Sequence, residues 1–191
     1  MEPIARGAPR PRARMTGIVY LSFFLLAILG QLLVSNKLVT LGNAINVISA
    51  VCYAVLAVLF YLMFKPVSNW LSLLAALFNI AGCVVMTLGI LDLVPSSFSP
   101  LWFFGPYCLF IGYLTYRSTF LPRILGALMA LAGVGWLAYL SPTLAHYLTL
   151  YIEIIGIVAE ASLMLWLIVK GVNVARWEEL ASASWNPLPS P

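Results

Sequence analysis

Charge is what this chain has least of. Of its 191 residues only 8% are charged and 63% are hydrophobic, against roughly 25% and about 45–50% in a soluble domain. So few charges cannot keep a globular surface in water, and with a mean hydropathy of +1.02 the composition points to an integral membrane protein. Histidine is reduced to His146, which excludes a haem held by two histidines within a bundle. Cysteine is limited to Cys52, Cys83 and Cys108, with no Cys-x-x-Cys pair. They read as small apolar packing residues rather than metal or redox ligands. The zinc motif His-Glu-x-x-His, the Gly-x-Ser-x-Gly elbow and the glycine-rich phosphate loop are all missing, so no enzyme is expected and no cofactor is implied.

What the chain does have is long apolar runs. A helix needs about 20 mostly apolar residues to cross the hydrocarbon, and six runs qualify: 15–34, 44–64, 69–94, 98–116, 123–140 and 147–169. They are continuous rather than alternating, which indicates helices that satisfy their own backbone groups in lipid. The expected fold is all-α, a bundle of six transmembrane helices spanning 15–170. Pro66, Pro95, Pro122 and Pro142 all fall between runs, where proline ends helices. Pro106 lies inside the fourth, where a kink near Trp102–Pro106 is expected. Residues 1–14, rich in Pro and Arg, read as a disordered basic arm. The run that follows is too long for a signal peptide and has no small-residue cleavage site, so it reads as a retained helix. Residues 171–191 read as an interfacial, then disordered, tail with Trp177 as a headgroup anchor and Trp185 available to a partner.

The basic residues set the orientation. With six spans, one side holds Arg6, Arg10, Arg12, Arg14, Lys65, Arg117, Arg123, Lys170 and Arg176, and the other holds Lys37 alone. Both termini are therefore expected in the cytoplasm. The net charge of +4 reads as attraction to anionic lipid headgroups. Scattered over helix ends, it does not suggest nucleic acid.

A repeat of about 52 residues is also visible. The ends of the even spans read "YLMFK" from Tyr61, "YLTYR" from Tyr113 and "WLIVK" from Trp166, and the odd spans carry Gly30, Gly82 and Gly133 at matching intervals. Aromatic belts and the positive-inside rule account for the first mark, though not for the glycine register. The expectation is three parallel helical hairpins. Gly126, Ala130 and Gly133 form a small-residue stripe suited to close helix packing.

An acid at membrane depth is a functional-site hypothesis by default. Glu153 and Glu160 are seven residues apart, on one face of the last span, with Gly156 between them. No Lys or Arg lies inside any span to balance Glu160. It is expected either to be protonated or to meet a wet cavity or a bound cation. Asn79 and Tyr107 are its candidate neutral partners. Tyr107 is chosen because it shares, with Val55, the register of Glu160 in the proposed repeat. Asp92 and His146, at the outer ends of spans three and six, are secondary candidates, with Asp92 expected to be hydrated.

The stretch "GYLTYRSTFLPRILGALMALAG" (Gly112–Gly133) and the stretch "LWLIVKGVNVARWEE" (Leu165–Glu179) resemble the bacterial membrane proteins grouped as DUF4386. The resemblance implies six or seven helices and no particular reaction. It also implies "HC" in relatives where this chain has Tyr107-Cys108, a basic residue where it has Asn79, and a "GE" or "AE" at Glu160. Three functions are weighed: a non-catalytic binding protein or accessory subunit of a membrane assembly, with a membrane-protein partner or a second copy; a small-molecule or ion/proton-coupled transporter using Glu153 and Glu160; and, behind both, an intramembrane enzyme.

Overall fold

The computed structural model describes residues 13–95 and 98–185. All regular elements among them are helical: α1 Ala13–Ser35, α2 Val39–Phe64, α3 Asn69–Ile90, α4 Leu101–Arg117, α5 Arg123–Leu137, α6 Pro142–Val169 and α7 Val174–Trp185, with a 3-10 turn Ala138–Leu140 extending α5. Five segments are long and apolar enough to cross a membrane: α1, α2, α3, α5 with its extension, and α6. At 17 residues, α4 reaches about 25 Å, short of the ~30 Å hydrocarbon.

The outer surface is what lipid requires. Ile18, Val51, Leu77, Leu131 and Ile157 are all more than half exposed, on every long helix except α4. In water such a surface would aggregate. This is a helical membrane protein.

Consecutive helices pack on one another, and α1 also packs on α6, so that α1 to α6 close into a ring. Small residues set the tightest contacts. A Cβ on Gly112 would stand 2.6 Å from Ala130 N, and one on Gly126 would stand 2.5 Å from Tyr116 N, so the backbones of α4 and α5 touch. In lipid, where burial of apolar surface drives little, such van der Waals contact is a main source of association. Gly17 seats α1 against Ile168 of α6 in the same way.

Helix ends account for most departures from the expected boundaries. The third helix stops at Ile90 rather than Val94 because Asp92 turns left-handed (φ 55°). Leu93 N–H then bonds back to Leu88 O, and Asp92 N–H to Gly89 O, a Schellman closure. Lys37 (φ 66°) ends α1 by the same pattern, with Leu38 N–H to Leu33 O and Lys37 N–H to Val34 O. The turn is so short that α2 starts at Val39 rather than 44. Pro142 opens α6 five residues before 147, since proline is pre-shaped for a first helical turn. Pro106 interrupts no helix: α4 runs through it, giving up one backbone bond, that to the Trp102 carbonyl.

The tail differs more. Residues 174–185 form α7, started by the Asn173 side chain, which accepts from Arg176 N–H. Trp177 is buried, its indole Nε1–H donating to Met63 O at 2.8 Å, and Arg176 donates to Thr119 O. The expected headgroup anchor is instead a peg between α7 and the α2 end of the bundle. The basic arm falls on residues 1–12, outside the described residues, while Ala13 and Arg14 already belong to α1.

The packing does not confirm the threefold repeat at the positions that suggested it. Val55 is 47% exposed where its register-mate Tyr107 is fully buried. Gly30 and Gly82 face the next helix in the chain, whereas Gly133 faces back onto Leu109 of α4. A matching period in sequence has been spent on different surfaces.

Candidate functional site

Glu160 sits nine residues before the end of α6, about 14 Å along the axis, and its side chain turns into the ring. Tyr20 of α1 donates its hydroxyl to Glu160 Oε2 at 2.7 Å. Tyr53 of α2 brings a second hydroxyl to the same carboxylate. Both tyrosines are almost fully buried. Hydrogen bonds to an ionisable acceptor are among the stronger ones, and the Tyr20 bond joins α1 to α6. Beyond them Tyr107 meets Tyr53 edge-to-face at 5.7 Å, and its hydroxyl has no hydrogen bond of regular geometry. Cys108, fully buried, lies close enough to feel the Glu160 charge.

Aromatic rings hold this arrangement. Phe23 stacks on Tyr53 at 4.1 Å, Phe60 meets Tyr20 edge-on at 5.8 Å, and Phe104 meets Tyr53 in the same manner. Such pairs contribute about 0.5–1.5 kcal/mol each beyond area burial, and they fix the ring planes, so the hydroxyls are aimed before any ligand arrives.

One side of Glu160 is open. It is half-buried and borders a groove of about 440 Å³ between α1, α5 and α6. Phe23, Phe24 and Trp136 form its aromatic wall, and Ala27 and Ile157 its floor. Gln31 and Ser35 supply the remaining polar side chains, on the same face of α1 toward the Lys37 end. The Trp136 indole lies over Gly156, where a Cβ would be 2.5 Å from its ring. The glycine between the two acids therefore admits a neighbouring helix, and that helix is α5.

The other expected residues are placed elsewhere. Glu153 is exposed and does not line the groove; it keeps nearly the same face of α6 as Glu160 but lies about 10 Å further toward the start of the helix. Asn79 is fully buried on α3, where Cys83 Sγ lies 3.5 Å from its Oδ1 and its Nδ2 has no partner. Its side-chain contact is with Cys83 of its own helix rather than with Glu160. Asp92 is exposed in the left-handed turn after α3. His146 is exposed against the Tyr147 ring. Tyr20 and Tyr53 were missed from sequence; a tyrosine within a span gives no sign of which way it points. Among the described residues no group of three His, Cys, Asp or Glu side chains could hold a metal.

Comparison with known proteins bears on class rather than reaction. The family model for a domain of unknown function, DUF4386, matches residues 98–171, from just before α4 to the glycine that ends α6. A protein of Archaeoglobus fulgidus, described only as uncharacterized, is 30% identical over 123 residues, covering 60% of this chain and 74% of that protein. That source is an archaeon, so the similarity is not confined to bacteria. No solved structure matches the chain. With the matched segment supplying Tyr107, Cys108 and Glu160, the chain belongs to the DUF4386 family.

Proposed function

We propose that this protein is a non-catalytic binding or accessory protein of a prokaryotic cytoplasmic membrane, crossing it six times with both termini inside. The single observation that carries the reading is the setting of Glu160. Its carboxylate is met by hydroxyls from α1 and α2, and its open side faces a largely apolar groove. Such a group locks helices together and offers a recess to a guest. In this reading α4 counts as a span despite its length, because it is packed between α3 and α5 and the bilayer thins locally around short helices. The basic residues then gather on the inner side, with Lys37 alone outside, and draw anionic lipid to that face. A membrane-protein partner, or a second copy, would use the exposed apolar surface.

A second reading, ion- or proton-coupled transport, has one observation in its favour: Gln31 and Ser35 continue the groove toward the outer end of α1. Proteoliposomes with an enclosed pH dye separate the two. The binding reading expects proton flux under an imposed gradient to equal that of empty vesicles and of Glu160→Gln. Flux that Glu160→Gln removes would establish transport instead.

A further inference from the structure

We infer that the groove between α1, α5 and α6 is a binding site for lipophilic organic cations, with Glu160 as the counter-charge. The inference rests on the binding reading above and names its ligand class. Three features point the same way. Glu160 is an acid whose protein partners, Tyr20 and Tyr53, are neutral hydroxyls, and no Lys or Arg lies in the interior of a span. When Glu160 is ionised, no Lys or Arg among the described spans stands ready to balance it, so a cation in the groove would do so. Beside the carboxylate stand Phe23, Phe24 and Trp136, and aromatic faces attract a desolvated cation. The remaining floor is apolar, and about 440 Å³ lies within the size range of small-molecule sites. A small hydrated cation would leave the apolar walls unused, a neutral hydrophobe would leave the carboxylate unbalanced, and an anion would be repelled. An ammonium or phosphonium carrying hydrocarbon or aromatic groups uses both. The groove meets the lipid along α1 and α6, so such a ligand enters from the bilayer, where it already concentrates.

A lipid amine headgroup shares this chemistry, but Glu160 lies about 14 Å from the near end of its helix, deeper than headgroups sit. The free cation is therefore the assigned occupant.

The full-length protein in phosphatidylglycerol nanodiscs, which contain no amine-bearing lipid, is titrated with radiolabelled tetraphenylphosphonium. Saturable binding is expected, displaced by unlabelled tetraphenylphosphonium and not by tetraphenylborate, an anion of nearly the same shape. Glu160→Gln should weaken it at least ten-fold. Ala27→Phe, which fills the groove and leaves the Tyr20–Glu160 bond in place, should abolish it. Equal binding by Glu160→Gln, equal competition by the borate, or no saturable binding by the wild type would overturn the proposal. Displacement by added phosphatidylethanolamine would transfer the site to a headgroup and overturn it as well. If Glu160→Gln fails to elute as a monodisperse species, the borate and Ala27→Phe arms decide. Failure of cation binding would leave the flux result, and hence the non-transporting reading, where it stands.

Discussion

At the scale of single residues, Glu160 and Tyr20 make a separable pair. Glu160→Gln keeps an oxygen for the Tyr20 hydroxyl, so its stability is expected to fall by no more than about 1 kcal/mol. Glu160→Leu removes the acceptor and strands the hydroxyls of Tyr20 and Tyr53, each orphan costing about 1–3 kcal/mol. Thermal unfolding in mild detergent should therefore rank the wild type near Glu160→Gln and well above Glu160→Leu. A Glu160→Gln midpoint as low as that of Glu160→Leu would show that the hydrogen-bond geometry, and not merely an acceptor, is required. Sequence pointed to Glu160 because an acid is conspicuous in an apolar run. It could not point to Tyr20 or Tyr53, because a tyrosine is at home both in a lipid belt and in a core. Tyr107 was chosen through a register that its mate Val55 does not share; it meets the Tyr53 ring, and its hydroxyl makes no hydrogen bond to Glu160.

At the scale of elements, two helix ends and one interface are open to test. Lys37 holds a left-handed conformation without being glycine, at a cost of about 1–2 kcal/mol. Lys37→Gly is expected to raise the unfolding midpoint, a gain of about 1 kcal/mol after the entropy that glycine loses on folding. At the α4–α5 contact the opposite holds: Gly126→Val would drive a side chain into the Tyr116 backbone. Neither backbone can move without opening the ring, so this variant is expected to lose monodisperse protein on size-exclusion chromatography, where Val134→Ala, on the exposed face of α5, does not. The apolar runs made these helices legible to within a few residues. Their ends were less so, because Schellman closures at Lys37 and Asp92 use residues that carry no left-handed signature. Helix α7 escaped because its polar sequence reads as tail until Met63 O is known to await Trp177. Trp177→Ala should cost about 3–5 kcal/mol, as truncations of buried aromatic side chains do, and should expose the α2 end to proteolysis.

At the scale of the whole molecule, the orientation proposed above rests on the basic residues. A fluorescent protein that folds only in the cytoplasm, fused after Pro191, is expected to fluoresce; a dark but fully expressed fusion would reverse the topology. Composition made the membrane environment plain, and the order of spans followed from length. The closed arrangement did not follow, because nothing in a run of leucines and valines says which helix it will lie beside.

That closure joins residues 140 positions apart, since Tyr20 donates to Glu160. During synthesis α1 is translated before α6, so the Tyr20 hydroxyl exists before its acceptor. Contacts so distant in sequence are late events in folding. A chain truncated before Glu160 would leave the Tyr20 hydroxyl without its acceptor, so α6 supplies the bond that closes the ring on α1.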